Sequence, residues 1–217
     1  HQNTVANSIT VQFDGCIYIY SGGKANNTTV SYMGNMYVYN GGLANSTTVI
    51  NDSAYMYIYS GGTANNNKVT YNGNIYISNG GIASNTTVTN YGEIFISSGG
   101  LANSTTVDSN GYMYIYSGGT ATNIIWTPCV GEIIAEEGAY VTYANTYSGV
   151  YLGSNNQQLS HANSMSNKKT NGCSMYIMSD GLVNETTVNS SGYMYVYNGG
   201  TANNTTVDYS GKMYIYS

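Results

Sequence analysis

The stretch SGGLANSTTVDSNGYMYIYSGG, residues 98–119, holds one full copy of a phrase that recurs along this chain. The Gly-Gly pairs that bound the phrase begin at Gly22, Gly41, Gly61, Gly80, Gly99, Gly118 and Gly199. In the uninterrupted run every step between pairs is 19 residues, apart from one step of 20. Such a fixed period predicts a solenoid, in which each repeat is one coil that cannot bury its apolar face alone.

Two short stretches of each repeat have the pattern of a β-strand. An aliphatic residue alternates with tyrosine in residues 113–116, and β-branched residues favour a strand in Thr-Thr-Val, which ends at Val107. We expect the aliphatic residues, the valine and the first threonine to face inward, and the alanine after each Gly-Gly pair to fill a corner. These patterns predict an all-β fold, a right-handed parallel beta-helix (solenoid) with about 19 residues per coil.

The tyrosines of the alternating strand are expected to point outward. Since coils stack about 4.8 Å apart, they should line up in two columns. Such columns stabilise a sheet by stacking, and a large aromatic strip on a surface also marks an interaction site. The binding-face candidates are Tyr18, Tyr37, Tyr39, Tyr57, Tyr59, Tyr114, Tyr116, Tyr195, Tyr197 and the single tryptophan, Trp126.

The phrase degrades over about residues 124–180. Gly181 follows Gly138 by 43 residues, five more than two periods, which fits two irregular coils, with residues 160–163 as a weak copy of the turn and Lys168-Lys169 in a bulge. Either loops protrude there from an undisturbed stack, which is the preferred interpretation, or the section is a local binding feature. The second interpretation rests on Trp126, Glu132, Glu136, Glu137, Tyr140, Tyr143, Tyr147, Tyr151 and His161.

Composition excludes several classes of function. The formal net charge is −5, only 7% of the 217 residues are charged, and arginine is absent. A chain without a basic cluster cannot neutralise phosphates, so nucleic acid is excluded as a partner. No apolar run approaches the roughly 20 residues of a membrane span, so we expect no membrane insertion by this segment.

The sequence offers little for catalysis or metal binding. Its only histidines are His1 and His161, and its carboxylates are scattered, although Glu132, Glu136 and Glu137 could supply an acid/base pair. Cys16, Cys129 and Cys173 lack the spacing of metal ligands. A Cys129–Cys173 disulfide and two reduced thiols are both compatible with the sequence. We therefore expect no enzyme, no cofactor and no metal site.

The repeats resemble a known family. SGGLANSTTV (98–107) and NGGLANSTTV (40–49), with NGYMYIYSGG (110–119), are similar to the 19-residue strand-loop-strand repeats of AIDA-type self-associating autotransporter adhesins. The resemblance covers residues 4–126 and 172–217. It implies a beta-helical passenger on the bacterial cell surface, or secreted, that mediates self-association, biofilm formation or host attachment.

The resemblance also implies partners and modification. The partners would be the same protein on neighbouring cells, or a host surface or glycan, and residues 1–217 would be a single domain cut from a longer repeat array. Family members are often O-glycosylated with heptose, and the candidate acceptors are the middle threonines Thr29, Thr48, Thr87, Thr106, Thr187 and Thr206. The alternatives are a carbohydrate-binding module that uses the tyrosine columns and, more weakly, ice binding by the single outward threonine of each coil.

Overall fold

The computed structural model describes residues 4–216, in which the regular structure is β-strand and no helix occurs. These residues form the turns of a β-solenoid with a spacing of about 19 residues. They divide into two compact units: unit 1 holds residues 4–126 and 131–145, and unit 2 holds residues 127–130 and 146–216. A single domain over residues 1–217 stays a prediction, and residues 1–3 and 217 lie outside the described part.

Each coil of unit 1 has three short strands, and each strand adds to one of three parallel sheets. The alanine sheet follows the Gly-Gly pairs and contains β1 (Thr4–Asn7), β4 (Gly23–Asn26), β7 (Leu43–Asn45), β10 (Thr63–Asn65), β13 (Ile82–Ser84), β16 (Leu101–Asn103), the start of β19 (Thr120–Trp126) and β21 (Tyr140–Tyr143). The valine sheet contains β2 (Thr10–Val11), β5 (Thr29–Ser31), β8 (Thr48–Ile50), β11 (Lys68–Thr70), β14 (Thr87–Val88), β17 (Thr106–Val107) and the end of β19. The tyrosine sheet contains β3 (Cys16–Ile19), β6 (Asn35–Val38), β9 (Tyr55–Ile58), β12 (Asn74–Ile77), β15 (Glu93–Ile96), β18 (Tyr112–Ile115) and β20 (Glu132–Ala135).

The alanine segment is a strand and not the corner that the sequence led us to expect. In β10 the side chain of Ala64 is fully buried, while Thr63 and Asn65 on either side of it are half-buried. This is the alternation of a strand with one face inward. A methyl group is small enough for this sheet to approach the other two closely, and the backbone pairs in register with the next coil, Ala64 against Ala83.

The core has the composition that the repeat predicts. Side chains at the aliphatic positions of the tyrosine sheet are fully buried in the middle of unit 1: Met36, Met56, Ile58, Ile75, Ile77, Ile94, Ile96 and Met113. The valines of the valine sheet are buried as well, and the first threonine of each Thr-Thr-Val joins them, as Thr47 does at 0% exposure. The predicted inward set is therefore confirmed.

Two features of the corners keep the coils in register. In the Gly-Gly turn, Gly61 has a φ of +74°, in the left-handed region that glycine adopts at little cost. The single 20-residue coil keeps the register because its extra residue lies in another corner. Four residues separate β8 from β9, against three between β11 and β12.

Unit 2 begins with an antiparallel hairpin and continues as parallel coils. The hairpin pairs β22 (Val150–Ser154) with β23 (Gln157–Ala162), and β22 also pairs antiparallel with β25 (Ser174–Ile177). The parallel strands are β24 (Ser164–Ser166), β26 (Leu182–Asn184) and β29 (Thr201–Asn203), then β27 (Thr187–Val188) and β30 (Thr206–Val207), and finally β28 (Tyr193–Val196) and β31 (Lys212–Ile215).

The hairpin corrects two expectations for the irregular section. Residues 160–163 do not copy the turn, because residues 160–162 lie in β23. The chain reverses at Asn155-Asn156, whose φ values of +50° and +57° suit a two-residue turn between antiparallel strands. No bulge forms at Lys168-Lys169 either, since Lys169 makes a parallel bridge with Thr187. A register shift occurs instead between Leu152 and Gly153.

Membrane-spanning helices are not found: nothing between residues 4 and 216 forms a helix of the length and apolarity needed to cross a bilayer.

Candidate functional site

The outward residues of the tyrosine sheet form the candidate site, which we call the tyrosine face. In unit 1 its central column runs through six coils with ring centroids 4.7–5.3 Å apart and planes within 13° of parallel. This separation is close to the distance between neighbouring strands, because the paired residues are in direct register. The column consists of Tyr18, Tyr37, Tyr57, Tyr76, Phe95 and Tyr114.

A second, shorter column lies beside it. Tyr39 stacks between Tyr20 and Tyr59 with ring centroids 5.0 Å away on both sides. Serines at the next two coils, Ser78 and Ser97, interrupt this column before Tyr116. Unit 2 carries its own stacks, in which the ring centroids are 4.8–5.3 Å apart: Tyr176, Tyr195 and Tyr214 in one, and Tyr197 and Tyr216 in the other.

Stacking determines which part of each tyrosine meets solvent. In the middle of unit 1, Tyr37, Tyr57 and Tyr114 are half-buried because neighbouring rings cover both of their faces. The exposed parts are therefore ring edges and hydroxyl groups. At the first coil the coverage is one-sided, and Tyr18 and Tyr20 are 52% and 61% exposed.

The tyrosine hydroxyls of this face stay protonated at neutral pH. Partial burial raises the pKa of Tyr57, Tyr76 and Tyr114 above the ordinary phenol value, and neighbouring ionisable groups raise it further. Burial also raises the pKa of the carboxyl of Glu93, which lies at the edge of the same sheet. A neutral hydroxyl both donates and accepts hydrogen bonds, so the face is a regular array of donors and acceptors without charge.

The sequence analysis missed some members of the tyrosine face and misplaced another. Tyr55, Tyr112 and Tyr193 are half-buried at the first outward position of their strands, and the Tyr55 ring lies 6.0 Å from that of Tyr57. Extending the period-two pattern by one residue would have found them. Trp126 does not belong to a binding face, because its ring is only 3% exposed and its Nε1 donates to the carbonyl of Gly131 at 2.8 Å.

Polar ladders line other parts of the solenoid. The amides of Asn7, Asn26, Asn45 and Asn65 hydrogen-bond from coil to coil at 2.9–3.4 Å, which confirms the ladder expected at these asparagines. The middle threonines begin the strands of the valine sheet in unit 1 and of the β27–β30 pair in unit 2. Thr29, Thr48, Thr87, Thr106 and Thr187 are half-buried, and Thr206 is exposed.

Residues of the irregular section have structural partners. In unit 1, Glu136 accepts a hydrogen bond from the backbone amide of Ser117 at 3.1 Å. In unit 2, His161 stacks on Tyr151 at 4.1 Å, and its Nε2 lies 3.0 Å from the carbonyl oxygen of Ser148. Among residues 4–216 no three histidine, cysteine or carboxylate side chains cluster as metal ligands. His1 lies outside the described residues.

The three cysteines are thiols in different surroundings. Cys16 is exposed, Cys173 is half-buried and Cys129 is buried, and none of the three is in a disulfide. Cys129 packs directly against the backbone of Gly153, where an added Cβ would lie 2.5 Å from its Sγ. Burial, together with the nearby Cys173, raises the pKa of the Cys129 thiol to about 12.

We expect alkylation to distinguish Cys16 from Cys129. At pH 8 the folded protein should react with iodoacetamide at Cys16 about 100-fold faster than at Cys129, because the thiolate is the nucleophile and Cys129 is both buried and protonated. Mass spectrometry of peptides over a time course measures both rates, and urea should make them similar. Equal rates in the folded protein, or a Cys129–Cys173 disulfide in the peptide map, would contradict this assignment.

Comparison with known proteins identifies the repeats. Residues 71–125 match the family model AIDA, described as an adhesin of bacterial autotransporter system, probable stalk. The repeats of this chain are AIDA-type autotransporter adhesin repeats. Stalk repeats of this kind belong to surface-exposed or secreted passenger domains, and an adhesin stalk is a structural rather than an enzymatic part.

A solved structure has the same architecture as these AIDA-type repeats. It is the crystal structure of the TibC-catalyzed hyper-glycosylated TibA55-350 fragment, which is 27% identical to this chain with a TM-score of 0.55. The match covers 98% of this chain and 89% of that fragment. No curated protein matches the chain.

Proposed function

We propose that this chain is a passenger segment of a bacterial surface adhesin and that it mediates self-association, and through it biofilm formation or host attachment. The tyrosine face would be the contact surface between copies. The observation that carries the proposal is the row of stacked tyrosines in the central column of unit 1, whose rings repeat every 4.7–5.3 Å. Two such rows have the same period and can pair along their length.

Stacking also prepares the surface for contact. Each central ring is held between its neighbours, so its side chain loses little conformational freedom when a partner binds. The hydroxyl groups can donate to and accept from the same groups on a second copy. Only 7% of the residues are charged, which lets two such faces approach without strong repulsion. Each coil adds a weak contact, and many coils together give useful avidity.

We expect the triple substitution Tyr39→Ser, Tyr57→Ser and Tyr59→Ser to weaken self-association about tenfold or more. Three adjacent outward rings would be lost, while the inward aliphatic residues of the same strands stay in place. Sedimentation velocity and the clumping of protein-coated beads measure association, and circular dichroism measures strand content. A triple variant that associates normally but melts at a much lower temperature would show that the tyrosines only support the fold.

The matched control is the triple Tyr→Phe variant at the same positions. It keeps the stacked rings and removes three hydroxyl groups, so it isolates the contribution of hydrogen bonding between faces. We expect it to melt near the wild-type temperature and to associate more weakly than wild type. Association equal to wild type would assign the contact to ring edges instead of hydroxyls.

Glycan binding by the stacked columns is the weaker candidate. A sugar ring packs its CH groups on the face of an aromatic ring, whereas neighbouring rings already cover both faces of Tyr37 and Tyr57. The host surface or glycan therefore remains a partner of the adhesin class in general. We assign no catalytic role to this segment, since the best-placed carboxylate, Glu136, holds a backbone amide.

Glycosylation of the chain itself is also proposed. The TibA fragment that this chain resembles is hyper-glycosylated by TibC, and this chain presents a regular row of outward threonines. The proposed acceptors are the middle threonines Thr29, Thr48, Thr87, Thr106, Thr187 and Thr206. Sugars in this row would extend from the valine sheet, so they would leave the tyrosine face open.

A further inference from the structure

Exposed aromatic residues occupy an unfavourable backbone conformation at one corner of the coil. This corner joins the valine sheet to the tyrosine sheet, and its first residue has a positive φ, +42° at Tyr32 and +47° at Tyr71. A left-handed conformation costs roughly 1–2 kcal/mol for most residues and less for asparagine. Other coils of unit 1 place asparagine or serine there, as at Asn51 and Asn90. Backbone strain with an exposed ring points to a role outside folding.

The 20-residue coil opens a cleft between two of these rings. Its extra residue lies in this corner, and the coil carries Asn51 and Asp52 where its neighbours on either side carry Tyr32 and Tyr71. The result is a cleft of about 300 Å³, lined by Tyr32, Asn51, Asp52, Tyr71 and Asn72. The two tyrosines are 53% and 57% exposed, so ligand can reach them from solvent.

The spacing of the two rings matches the thickness of a sugar ring. Tyr32 and Tyr71 are two coils apart, which corresponds to about 10 Å along the stack. Carbon atoms pack at about 3.5–4.0 Å, so a puckered six-membered ring between two aromatic rings needs about 8–9 Å. Phe13 stacks on the far side of Tyr32 with centroids 6.0 Å apart and planes 12° from parallel, which supports that ring from behind.

Polar groups lie on the floor of the cleft where hydroxyls of such a ring would point. Asn72 donates a hydrogen bond from its Nδ2 to Oδ1 of Asp52, which fixes the carboxylate. A carboxylate accepts several hydrogen bonds at once, and the amide of Asn51 can donate and accept. Two apolar walls with a polar floor suit a molecule that has apolar CH faces and hydroxyls around its rim.

We propose that this cleft binds one pyranose ring of a neutral glycan, held between Tyr32 and Tyr71 with its hydroxyls on Asp52 and the asparagines. This site differs from the tyrosine face in its residues and in its contacts. On the tyrosine face neighbouring rings cover the aromatic faces, whereas in the cleft the missing ring of the 20-residue coil leaves two faces for the ligand. The proposal does not depend on self-association.

The test uses titration calorimetry and saturation-transfer NMR with four neutral probes: cellotetraose, maltotetraose, mannotriose and chitotriose. We expect at least one of them to bind the wild-type chain with a Kd on the order of 1 mM. Tyr32→Asn and Tyr71→Asn should each weaken that binding about tenfold or more, and Asp52→Asn should weaken it less. Asparagine occurs naturally at this position in Asn51 and Asn90, so these variants should keep the fold.

Tyr209→Asn is the matched control. Tyr209 has the same position in its coil and the same φ of +42° as Tyr32, and it is 75% exposed, but it does not line the cleft. This control and the Tyr39, Tyr57 and Tyr59 triple variant should bind the sugar like wild type, which separates the cleft from the tyrosine face. The proposal is overturned if no probe binds at about 10 mM, or if the Tyr32→Asn/Tyr71→Asn double variant binds like wild type.

Discussion

Replacing Trp126 with alanine should lower the free energy of unfolding by about 3–5 kcal/mol. The indole is 3% exposed, and its ring centroid lies 5.8 Å from that of Tyr143, with which it stacks. Its Nε1 donates to the carbonyl oxygen of Gly131 at 2.8 Å. Alanine would leave a large void and remove the donor from a buried carbonyl, and both changes favour the unfolded chain.

Trp126→Val is the informative control for this prediction. Trp126 pairs in register with Val107, so valine restores the residue that the regular coils use at this place. We expect Trp126→Val to fold and to be intermediate in stability, because it keeps the strand but not the stacking on Tyr143. Urea unfolding followed by circular dichroism measures all three proteins. A loss of less than about 1 kcal/mol for Trp126→Ala would show that the ring does not hold this coil.

The sequence placed the regular coils correctly because period and pattern agree in every repeat. Each aliphatic position, such as Ile94, is followed two residues later by another aliphatic residue, and 19 residues later by its equivalent, Met113. Stacking in register then follows from the geometry of parallel strands. The third strand was missed since three residues around a single alanine, as in Thr63–Asn65, are too short to show alternation.

Positions without a repeated equivalent could not be predicted in the same way. Trp126 was taken as exposed because a lone aromatic residue gives no periodic signal for its direction, and its partner Tyr143 lies 17 residues further along the chain. The hairpin at Asn155-Asn156 was missed because two asparagines are a weaker turn signal than Asn-Gly. Both errors fall where the chain departs from the phrase.

The two candidate surfaces differ in how much of them the sequence contains. Columns of tyrosine follow from the repeat, but the covering of their faces depends on ring-to-ring stacking, 4.9 Å between Tyr18 and Tyr37. The cleft between Tyr32 and Tyr71 depends on one extra residue, which the sequence shows only as a step of 20 in place of 19. The structure is needed to see that this residue falls in the corner and separates two rings.

The same extra residue explains why we expect Gly111→Ala to be strongly destabilising, by about 3 kcal/mol or more. A Cβ on Gly111 would lie 2.1 Å from the carbonyl oxygen of Val88 and 2.6 Å from its carbonyl carbon. Both are backbone atoms of the preceding coil, so the contact can be relieved only by separating two coils. Gly34, in another 19-residue coil, has the same contact, with Val11 oxygen at 2.2 Å from its added Cβ.

The 20-residue coil supplies the matched control for Gly111→Ala. Ala54 occupies the equivalent position there, two residues before Met56, and is fully buried. The longer corner evidently gives its methyl group room. Ala54→Gly should therefore cost only about 1 kcal/mol, mainly through the greater freedom of the unfolded chain. Urea unfolding compares the two variants. Equal losses of stability would mean that corner length does not decide which residue fits, and that the coils can move apart to accept a side chain at Gly111.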